Sequence, residues 1–76
     1  MTYRRQIRRL RGWSCWSQAE LAARMTAEGH SWTRTTVAKV ETGARSLSFD
    51  EAISIAFVFG TPIDALIPDP DPEENR

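Results

Sequence analysis

Arg34, Thr35, Ala38, Lys39 and Thr42 fall on one face of the helical stretch 33–42, and none of them is bulky and apolar. Arg and Lys donate to guanine O6 and N7, a Thr hydroxyl serves either base type, and Thr or Ala packs against the thymine methyl. A helix with this face around its N-terminal turns suits the major groove of DNA. Any solvated amphipathic helix also has a polar face, so the pattern takes its meaning from the elements that hold it.

Those elements are two short helices joined by a turn. Ser17 and Glu20 have the spacing of a capping box, in which the Ser oxygen accepts from a backbone N–H and the Glu carboxylate reaches back. Ala19, Leu21, Ala22 and Met25 follow at helical spacing. Thr33 reads as the N-cap of the next helix, Val37 and Val40 as its buried stripe, and Gly43 as the glycine that ends it. Helix-turn-helix proteins place the second helix of such a pair in the major groove, N-terminal residues at the base edges.

The strings S-Q-A-E-L-A and V-x-K-V-E-x-G resemble the Cro/phage-repressor type of helix-turn-helix regulator, also called the xenobiotic-response-element family. The similarity runs from about Ile7 to Ile67. It implies an all-α, compact, five-helix lambda-repressor-like domain that binds double-stranded DNA as a homodimer on a palindromic operator. Base contacts then fall to Arg34, Thr35, Ala38 and Lys39, and phosphate contacts to Gln18, Thr42, Arg45 and Arg8. Arg11 and Glu41 match an interior ion pair of the family. This chain departs in the stretch 26–32, a longer connection than members usually have.

The charge distribution agrees with that assignment. Net charge is zero. Yet residues 1–45 hold nine basic side chains against three carboxylates, and residues 46–76 hold seven carboxylates against Arg76. A polyanion responds to the nearby surface, because charges beyond roughly 8 Å are screened at physiological salt. The basic half contains the helix-turn-helix.

The remaining chain frames this unit. Residues 1–12 predict a first helix with Ile7, Leu10 and Tyr3 inward, and with Arg4, Arg5, Arg8 and Arg9 available to solvent or phosphate. Trp13 or Trp16 should plug the core, Trp16 as a staple against Leu21 or a neighbour. Trp32 should pack between the two helices, and His30 should be exposed or held in the loop. Ser48 with Glu51 repeats the capping box and opens a fourth helix to Gly60. Ala52, Ile53, Ala56 and Phe57 (or Phe59) are expected to cover the core, which leaves Ile55, Val58, Phe59 and, beyond the helix, Ile63 for a dimer contact. Residues 61–67 predict a short fifth helix with Pro62 at its first position. The division expected is a DNA-binding domain over 1–67 and an acidic, proline-rich disordered tail over 68–76.

One Cys and one His exclude a disulfide framework and a zinc site of ordinary ligand number, so no metal or cofactor is expected. There is no catalytic triad and no phosphate-binding glycine loop, so an enzyme is not expected either. With no long apolar run and no signal-peptide pattern, the expected location is the cytoplasm, at the nucleoid. The small size points to a minimal, Cro-like repressor. Two other readings stand beside it: an antitoxin-type module binding a protein partner through helix 48–60, and an adaptor on the same scaffold that has lost DNA binding.

Overall fold

Three helices begin where a hydroxyl side chain meets the backbone three residues on. Ser17 Oγ accepts from the Glu20 N–H at 3.0 Å and Glu20 Oε1 from the Ser17 N–H at 3.0 Å, which starts α2, Gln18–Ala27. Thr33 and Thr36 do the same for α3, Arg34–Thr42, at 3.3 and 3.2 Å. Ser48 and Glu51 do it for α4, Phe49–Phe59, at 3.2 and 3.0 Å. Each box satisfies two backbone donors that a helix start leaves open. The computed structural model describes residues 3–66, and α1 occupies Tyr3–Trp13.

The four helices and a 3-10 turn at Ile63–Leu66 make an all-α fold with no strand among the described residues. Where the fifth helix is expected, the described residues form this 3-10 turn, in which the Ala65 N–H bonds back to Pro62 O at 3.0 Å. Ile67 and the acidic stretch 68–76 lie outside the described residues.

α3 packs against α2 and α1, while α4 and the 3-10 turn close the other side. Ile7, Leu21, Met25, Val37, Val40, Ile55 and Leu66 are fully buried at the centre. α4 is turned relative to the expectation. Ile55 is 0% exposed and belongs to the core, whereas Phe49 is 73%, Ile53 46% and Phe57 70% exposed. Val58, Phe59 and Ile63 are partly buried and pack against the core cluster. Ile55 is therefore withdrawn as a dimer contact, because no surface is left on it to meet a partner.

The connection between α2 and α3 is fixed by backbone geometry rather than by shortness. Gly29 takes φ +98°, a conformation that costs a side-chain-bearing residue energy, and lets the His30 N–H reach Met25 O at 3.1 Å. Thr26 Oγ1 lies 2.9 Å from Ala22 O and 3.0 Å from Trp32 O and shares its one hydrogen between them, tying the end of the loop to the body of α2. Trp32 is buried as expected, next to the start of α3. The extra residues form a braced loop.

Candidate nucleic-acid interface

The face of α3 that the sequence nominates is outward. Arg34, Thr35, Lys39 and Thr42 are exposed, and Ala38 is half-buried between them. Val37 and Val40 on the opposite side are fully buried. The Thr33–Thr36 box occupies both hydroxyls at the first turn, so Thr35 is the hydroxyl there outside the cap. Thr42 Oγ1 donates to Lys39 O at 3.3 Å, so the phosphate contact expected of it first requires that its hydroxyl turn.

Beneath this face sits an interior ion pair. Arg11 Nε donates to Glu41 Oε2 at 2.8 Å and Nη2 to Oε1 at 3.1 Å, a bidentate arrangement. Arg11 Nη1 also donates to Trp16 O at 3.1 Å, which connects α1, the loop into α2, and α3. Gln18 completes the cluster: its Nε2 donates to Glu41 Oε1 at 3.1 Å. The side chain expected on a phosphate is thus turned toward the glutamate. What α2 leaves for an anion at that position is its N-terminal backbone.

A second buried glutamate holds the far side of the unit. Arg45 Nη2 donates to Glu51 Oε2 at 2.7 Å and Nη1 to Oε1 at 3.1 Å. Trp32 Nε1 donates to the same Oε2 at 2.9 Å. The Arg45 guanidinium, the Ser48 N–H and the Trp32 indole hold the Glu51 carboxyl down at about 2, from an ordinary 4.5, against the opposing effect of burial. Arg45 is raised by the same bond. A cation bound on two atoms by a buried carboxylate carries little residual charge toward a phosphate. Arg45 thus braces the α3–α4 link against the loop before α3, and the phosphate contact expected of it would have to compete with Glu51.

Other expectations divide. Arg8 is exposed on α1, in keeping with a solvent or phosphate role, but Arg4 is engaged: its Nη1 donates to Thr42 O at 3.2 Å. Trp13 is 84% exposed and plugs nothing. Trp16 stacks on Phe59 with centroids 5.1 Å apart, and the Arg24 guanidinium lies 4.0 Å from its ring. His30 is half-buried and hydrogen-bonded to Ser54 Oγ at 2.8 Å. Sequence reasoning missed the Trp32–Glu51 bond. The Ser48–Glu51 spacing pointed to the local use of that carboxylate, and nothing local signals a second, long-range one.

With the capped helix pair and its outward polar face described, comparison with known proteins decides the family. The model of the helix-turn-helix domain matches residues 3–68, nearly the whole chain. The chain belongs to the helix-turn-helix domain family. This agrees with the resemblance to Cro/phage-repressor regulators. No curated protein and no solved structure matches the chain significantly. Among the described residues, no helix of this helix-turn-helix domain is long and apolar enough to cross a membrane.

Proposed function

We propose that the chain is a sequence-specific regulator of transcription that inserts α3 into the major groove of double-stranded DNA. The observation carrying this is the outward Arg34–Thr35–Lys39 face on a helix fixed by caps at its start and valines beneath it. Arg34, Thr35 and Lys39 meet base edges, and Ala38 sits near a thymine methyl. Phosphates are met by the N-terminal backbone of α2 at Gln18, by Arg8, and by Thr42 after its hydroxyl turns. Repression follows from occupying an operator.

A homodimer on a palindromic site fits this reading. Phe49, Ile53 and Phe57 recur every four residues along α4 and are all exposed. The stripe reads the same from either end, so two antiparallel copies match Phe49 to Phe57 about a two-fold axis through Ile53. Val58, Phe59 and Ile63, partly buried against the core, keep some surface for the same contact. The same apolar stripe also favours a second reading, in which an antitoxin-like module holds a different protein.

The test is selection from random duplexes at two salt concentrations, with sedimentation of the protein alone. An enriched palindrome, lost on Arg34→Ala, supports base reading by α3. A dimer that dissociates on Phe57→Ser supports the α4 contact. Salt-sensitive binding with no enriched sequence removes the specific regulator and leaves a nonspecific binder. A monomer that binds no duplex moves the assignment to a protein partner.

A further inference from the structure

α1 opens against the ordinary rule for helix starts. Its first turn carries Arg4 and Arg5 and no acidic residue, which puts positive charge at the positive end of a helix dipole. A local rule broken in this way calls for a gain elsewhere in the molecule. The gain lies at the end of α3. Arg4 Nη1 donates to the Thr42 carbonyl, one of the acceptors that a helix C-terminus leaves open, and a cation there has the favoured sign. The guanidinium also covers Gly43, which ends α3 at φ +85°; a Cβ built there would collide with Arg4 Nη1. One residue earlier, Tyr3 Oη accepts from the Leu47 N–H at 3.0 Å. Adjacent residues of α1 therefore grip both ends of the link between α3 and α4.

We propose that Tyr3 and Arg4 are positioning residues for DNA recognition, a strut that fixes the exit of α3 and so the pose of its reading face. This rests on the assignment of α3 as the reading helix. Base discrimination depends on short, directional contacts, so a helix whose exit loosens loses the right site before it loses general affinity. Arg4, read as a plain surface cation, would instead be a phosphate ligand. The two roles differ in what they do to salt dependence: removing a phosphate ligand weakens binding to all duplexes alike and lowers the salt slope by about one.

The experiment compares the parent chain with Arg4→Met and Tyr3→Phe. It measures affinity for the duplex enriched from a random pool and for its scrambled version over a salt series, and amide exchange at Leu47. The strut predicts a loss of about five-fold on the enriched duplex, the size of one modest hydrogen bond. Scrambled-duplex affinity and the salt slope stay constant, and Leu47 exchanges faster in Tyr3→Phe. An even loss on both duplexes with a shallower slope for Arg4→Met overturns the proposal and makes Arg4 a phosphate ligand. Parent-like discrimination in both variants, or unchanged exchange at Leu47, overturns it too. If the parent enriches no duplex, the DNA reading falls and, with it, the recognition role of the strut; faster Leu47 exchange in Tyr3→Phe would then show that the grip itself is real, so the two failures are told apart.

Discussion

Two buried glutamates hold the helix-turn-helix, and they do so by different means. Glu41, near the end of α3, takes Arg11 from thirty residues away and Gln18 from α2. Glu51, in the first turn of α4, takes Arg45 from six residues away, the Ser48 N–H from three, and the Trp32 indole from the loop before α3. The Arg11 side chain is 23% exposed and that of Arg45 38%. The Glu41 cluster is thus an interior joint among three segments. The Glu51 cluster is a partly wet brace built on a helix cap. A joint without local support should fail harder than a brace that keeps its cap.

The sharpest way to break that contrast is to remove each arginine in turn. Arg11→Met leaves Glu41 charged and buried with Gln18 as its remaining side-chain donor, and should cost about 3 kcal/mol. Arg45→Met leaves Glu51 its indole and backbone donors, with water able to enter, and should cost about 1–2 kcal/mol. Thermal unfolding of both variants measures the difference. Equal losses would contradict the contrast between an unsupported joint and a brace built on a cap.

Acid unfolding sharpens the same contrast on the Glu51 side. Its carboxyl lies at about 2 in the fold and near 4.5 when unperturbed. A depressed carboxylate contributes stability that is fully present above pH 4.5 and is lost as pH falls through that window toward 2. Glu51→Gln should flatten this part of the stability profile, and Arg45→Met, by raising the folded carboxyl toward 4.5, should make the loss smaller and end it at a higher pH. A wild-type slope in Glu51→Gln would assign the acid sensitivity to other groups. The smallest expected effect is that of Trp32→Phe, which removes one donor to Glu51 and keeps most of the ring. It should cost about 1 kcal/mol by denaturant unfolding.

The contrast also marks what the sequence made legible. Capping boxes are local, so Ser17, Thr33 and Ser48 located three helix starts without any tertiary knowledge. The Arg11–Glu41 pair came through family resemblance, since nothing in its spacing announces it. The orientation of α4 was not legible, because residues 52–59 are apolar at all but one position and such a run has no phase for periodicity to read. Ile55 and Ile53 are chemically alike, and only packing against α2 and the 3-10 turn decides which goes in. Trp13 and Trp16 posed the same problem in a loop with no period. Arg4 and Arg45 looked like surface cations because their partners, a carbonyl and a carboxylate used for capping, carry no sequence mark of the pairing.

Whether the outward face of α3 meets DNA is tested most directly by backbone amide NMR during titration with a duplex enriched from a random pool. The largest shifts are expected on residues 33–39 and at the start of α2 near Gln18, with Phe49, Ile53 and Phe57 little changed. Shifts concentrated on α4 with α3 silent would contradict the assignment of α3 as the reading helix.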